Sequence, residues 1–225
     1  MISHPIQPAR KIRGVVYDLD GTILDSKFVH YRGWQDAGDR FNVPITPEFL
    51  GYQYGKTNEA AAQWLLGPQR YAEFGTSFVE AKKTSVVAHA GEAALFKDFE
   101  PAFCALVARK IPVWICTSSP KDYCSAIFVA IPELKALADK TVWRESYPNG
   151  KPNPDALLVT FQKMGLEVND CIYVGDAHVD YLAARNAGCG FFYYLPRKQD
   201  RDPGFGDIKA PCISDHRQIL AAVSP

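Results

Sequence analysis

The sequence predicts an α/β fold in which a doubly wound, mainly parallel sheet carries an inserted α-helical segment. Short apolar runs of strand-like composition alternate with helical patterns through most of the chain, which is typical of a parallel sheet covered by helices. Residues 27–94 break this alternation, because they show helical patterns without β-branched runs. The 225 residues, 47% of them hydrophobic, suffice for one α/β core and one insert.

The predicted core consists of short elements in the rhythm of a Rossmann-like fold. Strands are expected at 14–18, 112–119, 171–177 and 190–195. Helices are expected at 99–110, 153–165 and 179–188. We therefore assign residues 1–26 and 95–225 to a core domain and residues 27–94 to a helical domain.

The composition restricts the class of partner and the compartment. Lysine plus arginine and aspartate plus glutamate number 25 each, so no net charge favours nucleic acid or an anionic membrane. We expect a small-molecule partner and a monomer or weak homodimer. The six cysteines form no Cys-x-x-Cys pair, which favours reduced, buried thiols in a cytoplasmic protein. No signal peptide or transmembrane span is predicted, because no apolar run is long enough.

The stretch VVYDLDGTILDS, residues 15–26, places Asp18 and Asp20 one residue apart at the end of the first strand. A turn alone needs only one such residue beside a glycine, and two close carboxylates repel each other. A divalent cation would relieve that repulsion. The stretch therefore indicates a metal-dependent site.

Polar residues also follow the later strands of the predicted sheet. Thr117 ends the second strand, Gly175 and Asp176 end the third, and Lys151 precedes a helix. Because the carboxyl ends of parallel strands share one edge of the sheet, we expect these residues to converge. Carboxylates, a hydroxyl and an ammonium around one point fit a Mg²⁺ ion and a phosphoryl group.

Each of these residues suits a step of phosphoryl transfer. Ionised Asp18 could attack phosphorus to give an aspartyl-phosphate. Asp20 could protonate the leaving alcohol and then take a proton from the hydrolytic water. Thr117 and the backbone N–H that follows would hold phosphate oxygens, while Lys151 would offset charge. Gly21 supplies the conformational freedom for the turn.

The motifs occur in the order and at the spacing found in the haloacid dehalogenase superfamily. The matching segments are DLDGT (18–22), Thr117, Lys151 before a Pro-rich helix start, and GDAHVDYLAARNAG (175–188). The likeness spans about residues 13–195. A helical insert directly after the first motif resembles the α-helical cap of the subfamily with phosphoglycolate phosphatases, sugar-phosphate phosphatases and β-phosphoglucomutases.

The resemblance implies a role for each matching residue. It implies Asp18 as nucleophile, Asp20 as acid/base, Thr117 for phosphate binding and Lys151 for charge balance. It further implies that Mg²⁺ is held by Asp18, the backbone carbonyl of Asp20 and Asp176, with support from Asp180. The residues expected to bind substrate are Gly21, Thr22 and Ser118 near the motifs, and His30 and Lys56 in the cap.

These roles predict a Mg²⁺-dependent phosphatase that hydrolyses a small phosphomonoester such as a sugar phosphate or phosphoglycolate. The presence of Asp20 favours an oxygen leaving group. The resemblance implies that dehalogenases lack this second acid, because a halide leaves without a proton. The alternative is a phosphosugar mutase, because DSKFVHYRGW (25–34) is similar to the β-phosphoglucomutase stretch. Three departures count against it: Gly175 replaces an acid, Pro120 replaces a lysine and Asn58 replaces an arginine of the cap.

Two non-enzymatic alternatives use the same residue types. Receiver domains of signalling systems also combine Mg²⁺, a phosphorylated aspartate, a hydroxyl residue and a lysine on a doubly wound sheet. They need only about half of this chain and place their acid pair at adjacent positions, whereas Asp18 and Asp20 are separated by one residue. A catalytically silent phosphate-binding scaffold is the other alternative, although no motif residue is missing.

Overall fold

A computed structural model describes residues 12–53, 56–198, 201 and 204–223 of the chain. The chain divides into two compact units. The core unit consists of Met1–Asp25 and Ala94–Pro225, and the helical unit consists of Ser26–Ala93. The assignment of catalysis to the core unit and of a capping role to the helical unit stays a prediction.

The strands of the described residues are Gly14–Tyr17 (β1), Leu24–Asp25 (β2), Ala94–Leu95 (β3), Val113–Cys116 (β4), Thr141–Val142 (β5), Cys171–Gly175 (β6), Gly190–Tyr194 (β7) and Cys212–Ile213 (β8). All except β2 and β3 form a six-stranded parallel sheet in the order β5-β4-β1-β6-β7-β8. The direction of winding therefore reverses at β1. The predicted doubly wound parallel sheet is confirmed, and the four predicted strands correspond to β1, β4, β6 and β7.

Strand β1 is apolar throughout because it is central in the sheet. Val15 and Tyr17 are 0% exposed. Val15 lies opposite Val113 on one side and Ile172 on the other. A central parallel strand is covered on both faces, so its side chains do not alternate between apolar and polar. The residue after β1, Asp18, consequently lies at the reversal point of the sheet, where ligands bind in such folds.

The helices of the described residues are Lys27–Phe41 (α1), Pro47–Tyr52 (α2), Asn58–Arg70 (α3), Thr76–Ala88 (α4), Phe99–Ala108 (α5), Lys121–Ala130 (α6), Asp155–Met164 (α7) and His178–Ala187 (α8). The predicted core helices correspond to α5, α7 and α8, whereas α6 was not predicted. Helix α7 is followed by Gly165, whose φ of 66° closes the last turn without a clash from a β-carbon. Within the described ranges, each helix is too short or too polar to cross a membrane.

Aromatic side chains form the centre of the helical unit. Trp34 of α1 is 1% exposed and packs edge to face on Phe49 of α2, with 5.1 Å between ring centroids. Phe78 of α4 is fully buried, with 6.0 Å between its ring centroid and that of Trp34. Such pairs add about 0.5–1.5 kcal/mol to the free energy gained from burial. The α1–α4 packing therefore gives this small unit an apolar core of its own.

The two chain segments that connect the units run side by side. Strand β2 pairs in antiparallel orientation with β3, so that Leu24 lies opposite Leu95 and Asp25 opposite Ala94. A backbone hydrogen bond of 3.0 Å from Phe96 N to Ile23 O extends this pairing. The exit and return of the chain are thus fixed on the core unit.

All six cysteines are free thiols, which agrees with the expected lack of a disulfide framework. Cys116, Cys124, Cys171 and Cys189 are buried. Burial raises the pKa of Cys116 to about 11, so this thiol stays protonated at neutral pH. The expectation that the thiols are buried is wrong for Cys104 and Cys212, which are exposed.

A buried histidine connects the C-terminal part of the core unit to the loop after β1. His216 is 0% exposed, and its Nε2 lies 2.9 Å from the carbonyl oxygen of Thr22. Because a carbonyl only accepts, Nε2 carries the proton and Nδ1 is the bare nitrogen. Nδ1 is buried without a hydrogen-bond partner among the described residues. Protonation would therefore bury an unpaired N–H and a charge.

We expect His216 to make the stability of the protein depend on pH. Burial lowers the pKa of His216 to about 4, against about 6.5 in an unfolded chain. Because the unfolded state binds the proton more tightly, stability is lost as the pH falls from about 6.5 towards 4. Between pH 7.5 and 5, the wild type should lose about 2 kcal/mol more than His216→Phe in urea unfolding. Parallel stability profiles for the two proteins would contradict this prediction.

Candidate active site

The loops that follow three strands bring together the acidic and hydroxyl residues of the motifs. Asp18 follows β1 and its backbone N–H donates to Val174 O of β6 at 2.8 Å. Thr117 follows β4 and donates in the same way to Val142 O of β5 at 3.0 Å. Asp176 directly follows β6. Backbone hydrogen bonds to the sheet therefore hold Asp18 and Thr117 at its carboxyl edge, where Asp176 continues directly from β6.

Lys151 forms the centre of a buried ionic cluster. Its Nζ lies 2.6 Å from Oδ1 of Asp18 and 2.7 Å from Oδ1 of Asp180, and 4% of its side chain is exposed. The hydroxyl of Tyr173 lies 2.5 Å from the same Nζ and donates to Asp180 Oδ1 at 3.0 Å. Each of the three N–H donors of the buried Lys151 ammonium therefore has an acceptor: two carboxylates and one phenol oxygen.

The charges of this cluster shift one another's pKa values. Burial raises the pKa of Asp18 well above its usual value, Lys151 opposes that rise, and Asp180 adds to it. For Lys151, burial lowers the pKa, but Asp18 and Asp180 outweigh it and hold the pKa well above its usual value. Lys151 therefore stays charged, and its positive charge favours the ionised form of Asp18 that a nucleophile requires.

Asp180 has a structural and an electrostatic function. Its Oδ2 accepts a hydrogen bond of 3.1 Å from the backbone N–H of Ala177, next to the start of α8. Its Oδ1 accepts from Lys151. The sequence left open whether Asp180 merely caps a helix. The structure shows that it does so and also contacts the predicted charge-balancing lysine.

The loop after Asp20 is a tight turn that approaches Asp176. Gly21 has a φ of 80°, and a β-carbon there would lie 2.2 Å from Oδ2 of Asp176. Both facts exclude a side chain at this position. The hydroxyl of Thr22 donates to Oδ1 of Asp176 at 3.1 Å, which ties the first motif to the last.

Three carboxylates are candidates for a metal site. Asp18, Asp176 and Asp180 each offer an oxygen within 4.8 Å of the others, and within the described ranges this is the set of potential ligands that converges. Hard carboxylate oxygens beside a backbone loop are the ligands that Mg²⁺ prefers. Since both oxygens of Asp180 already accept hydrogen bonds, this residue suits a supporting role better than direct coordination.

Thr117 and Ser118 occupy the turn after β4. Thr117 is 1% exposed, its Oγ1 accepts from the N–H of Ser119 at 3.0 Å, and its carbonyl accepts from Tyr147 OH at 2.9 Å. Ser118 is exposed. The turn is thus rigid around Thr117 and leaves Ser118 accessible to a ligand.

The carboxylate of Asp20 contacts two hydroxyl groups. Oδ2 accepts from Ser119 Oγ at 2.5 Å, and Oδ1 accepts from Tyr123 OH at 2.9 Å. The side chain of Asp20 is not among the converging carboxylates. A part for Asp20 in metal binding would therefore rest on its backbone carbonyl, as the family resemblance implies.

The two predicted substrate residues of the helical unit have different surroundings. His30 in α1 is half-buried, and its Nδ1 lies 3.3 Å from Nζ of the buried Lys82. Lys56 is exposed, with its Nζ 5.7 Å from the ring centroid of Tyr52. Their contribution to substrate binding stays a prediction.

Four residues that contact the motif residues were not predicted from the sequence: Tyr147, Tyr173, Ser119 and Tyr123. Tyr173 lies in the apolar strand β6, where a tyrosine ring is expected to be part of the hydrophobic core. Ser119 does lie two residues after Thr117, and its position on the same turn was an available signal. Tyr123 lies six residues after Thr117 and Tyr147 lies four residues before Lys151, but no spacing in the sequence indicated that either side chain would contact a motif residue.

The chain matches the family model described as haloacid dehalogenase-like hydrolase over residues 12–188. The chain belongs to the haloacid dehalogenase-like hydrolase family. The resemblance inferred from the motifs is thereby confirmed. So is the predicted enzyme class, a phosphoric monoester hydrolase, since the chain matches this family of hydrolases and relatives that match along most of the chain are named as phosphatases.

Curated relatives match over most of their own length. Hexitol phosphatase A of Escherichia coli (strain K12) is 28% identical over 189 residues, which cover 80% of this chain and 81% of that protein. Phosphoglycolate phosphatase of the same strain is 26% identical over 201 residues, with 79% of each chain covered. Fructose-1-phosphate phosphatase of that strain is 25% identical over 179 residues, covering 78% and 92%.

Solved structures share the fold. A HAD hydrolase of family IA, variant 3, from Entamoeba histolytica superposes with a TM-score of 0.81 at 21% identity, covering 92% of this chain and 95% of that one. β-Phosphoglucomutase from Clostridium difficile superposes with a TM-score of 0.74 at 19% identity, covering 92% and 93%. Identities this low show a common fold and no more.

We expect Tyr173→Phe to slow the enzyme without unfolding it. The change removes only the hydroxyl that contacts Lys151 and Asp180, and hydrogen bonds to charged groups contribute about 1.5–3 kcal/mol. The kcat/KM for p-nitrophenyl phosphate should therefore fall at least about tenfold. Tyr194→Phe is the matched control, because it removes a buried phenol that donates to Asp98 instead. Equal activity of the two variants would contradict a role of the Tyr173 hydroxyl in the cluster.

Proposed function

We propose that this protein is a Mg²⁺-dependent phosphatase that hydrolyses a small-molecule phosphomonoester through an aspartyl-phosphate on Asp18. The observation that carries the proposal is the contact of 2.6 Å between Asp18 and the buried ammonium of Lys151. Lys151 and Tyr173 both contact Oδ1 of Asp18. Within the described part of the chain no hydrogen bond reaches Oδ2, which is therefore the oxygen that suits attack on phosphorus.

In this mechanism the residues of the core unit divide the work. Asp18 attacks phosphorus as the leaving alcohol takes a proton from Asp20, and Asp20 then removes a proton from the water that hydrolyses the aspartyl-phosphate. Thr117 and the N–H of Ser118 bind phosphate oxygens, while Lys151 offsets the negative charge of nucleophile and phosphoryl group. Gly21 and Thr22 keep the loop beside the phosphoryl group in one conformation, since Thr22 donates to Asp176.

A Mg²⁺ ion held by Asp18, Asp176 and the backbone carbonyl of Asp20, with Asp180 in support, would supply charge neutralisation and Lewis acidity. The convergence of the three carboxylates supports this cofactor, because their mutual repulsion exceeds what one lysine offsets. The side chains of the protein carry out the nucleophilic attack and the proton transfers described above.

The proposed substrate is a small phosphorylated metabolite, for example a sugar phosphate or phosphoglycolate. The names of the relatives support this class, since they act on hexitol phosphates, fructose 1-phosphate or phosphoglycolate. A phosphosugar mutase is less well supported. Pro120 offers no ammonium after the second motif, and Asn58, the first residue of α3, offers no guanidinium.

We assign residues 27–94 the role of a cap that selects the leaving group and excludes water. The position of the insert supports this role, because β2 and β3 form its two connections and α1 begins seven residues after Asp20 in sequence. His30 and Lys56 are the proposed substrate contacts of the cap. Monomeric or weakly dimeric state and a cytoplasmic compartment complete the proposal, the latter supported by the free thiols.

We expect Asp18→Asn to abolish turnover. An amide is a poor nucleophile, and phosphomonoester hydrolysis is extremely slow without catalysis, so kcat should fall at least about a thousandfold. Asp170→Asn is the matched control. It also removes one carboxylate, but Asp170 directly precedes β6, at the end of the strand away from the motif residues, so this variant should retain most activity. A tenth of wild-type kcat in Asp18→Asn, with contamination excluded, would show that the covalent mechanism is wrong.

We expect the predicted cap residues to matter for a natural substrate and little for p-nitrophenyl phosphate. A screen of phosphorylated metabolites would identify the best substrate, and His30→Ala and Lys56→Ala should each lower its kcat/KM about tenfold or more. Lys83→Ala, which removes an ammonium paired with Glu80 and Glu59, is the control. If His30→Ala and Lys56→Ala leave both substrates unaffected, these two residues do not determine specificity.

A further inference from the structure

Two neutral hydroxyl groups donate to the side chain of Asp20. Ser119 donates to one carboxylate oxygen at 2.5 Å and Tyr123 donates to the other at 2.9 Å. Both donors are buried, with exposures of 8% and 1%. Two hydrogen bonds on different oxygens fix both torsions of a short side chain, so Asp20 is held in one orientation.

Hydroxyl groups differ from charged donors in one respect that matters for an acid–base residue. A lysine or arginine can only donate, so it favours the ionised carboxylate alone. A hydroxyl can donate to the carboxylate and, after rotation about its C–O bond, accept from the protonated acid. The hydroxyls of Ser119 and Tyr123 can therefore stay in contact with Asp20 before and after a proton transfer, whereas Asp18 contacts the cation of Lys151.

The two hydroxyl groups are themselves rigidly supported. The backbone N–H of Ser119 donates to Thr117 Oγ1 at 3.0 Å, and its carbonyl accepts from the N–H of Arg144 at 3.0 Å. Tyr123 is a buried residue of the first turn of α6. Neither support involves Asp20, so the hydroxyls stay in place when the carboxyl group changes its protonation state.

We propose that Ser119 and Tyr123 are positioning residues that hold Asp20 in its working orientation through both half-reactions. This inference rests on the proposed role of Asp20 as proton donor and acceptor. In the first half-reaction the Asp20 O–H bond breaks as its proton passes to the oxygen of the leaving alcohol, and the P–O bond to that oxygen breaks. In the second, water loses a proton to Asp20 as its oxygen bonds to phosphorus and the bond to Asp18 breaks.

A positioning role has a consequence that a purely structural role lacks. Loss of the hydroxyls should slow the hydrolysis of substrates with poor leaving groups, which need a proton to depart. It should have little effect on substrates whose leaving group departs as a stable anion. The slope of log kcat/KM against leaving-group pKa measures this dependence. Loss of folded enzyme would lower every rate by the same factor and leave the slope unchanged.

The test measures this slope with p-nitrophenyl, phenyl and p-methoxyphenyl phosphate and glycerol 2-phosphate. Ser119→Ala, Tyr123→Phe and the double variant are compared with wild type and Asp20→Asn. Thr160→Val is the control, because it removes a fully buried hydroxyl that donates to Ala156 O in α7. Thermal unfolding of each variant shows whether the protein is folded at the assay temperature, so that a loss of rate through unfolding is recognised.

We expect the slope to steepen in each single variant and to approach that of Asp20→Asn in the double variant. The loss on glycerol 2-phosphate should be about tenfold or more, and on p-nitrophenyl phosphate about twofold or less. A wild-type slope in the double variant, with a steep slope in Asp20→Asn, would overturn the inference and leave the proposed function intact. A wild-type slope in Asp20→Asn would overturn the acid–base role itself, and the inference with it.

Discussion

The ammonium of Lys151 lies between Asp18 and Asp180 with only 4% of its side chain exposed, and the acidic cluster depends on this charge. Two carboxylates buried without a cation would cost several kcal/mol each, and removal of one partner from a buried pair typically costs about 3–5 kcal/mol. The hydroxyl of Tyr173 accepts from Lys151 and donates to Asp180. The pKa of the proposed nucleophile thus depends on the fold, because burial raises it and Lys151 opposes that rise only once three separate segments have met.

The loop after β1 depends on the same assembly. Its backbone is closed by hydrogen bonds from Gly21 N to Leu24 O and from Ile23 N to Leu19 O, at 2.8 and 2.9 Å. Thr22 then reaches Asp176 through its side chain and His216 through its carbonyl. The turn of residues 19–24 therefore joins the first motif, the last motif and the C-terminal segment. Flexibility at this point would misplace the proposed nucleophile and acid together, which explains the close contact between Gly21 and Asp176.

Much of the sheet and of the candidate site could be predicted from the sequence, for physical reasons. The strands β1 and β6 are fully buried and β4 and β7 are mostly buried, so all four are continuous apolar runs. The two-residue strands β5 and β8 lack any such run, and the helical pattern of α6 is mixed with Asp122 and Ser125. Ser119 and Tyr123 were missed because side-chain hydrogen bonds across the sheet edge leave no period in the sequence. Asp18, Lys151 and Asp176 were found because chemistry fixes their type and the sheet fixes their position.

Gly175 is the departure from the mutase pattern whose meaning changes most with the structure. From sequence it looks like the loss of an acid. In the structure a β-carbon at position 175 would lie 2.6 Å from the β-carbon of Asp180. An acid at 175 and Asp180 in its present place therefore exclude each other, and here Asp180 supplies the carboxylate that contacts Lys151. The glycine consequently makes room for an acid instead of replacing one, and it no longer separates a phosphatase from a mutase. That distinction now rests on Pro120 and Asn58, which by resemblance replace a lysine and an arginine of the mutases.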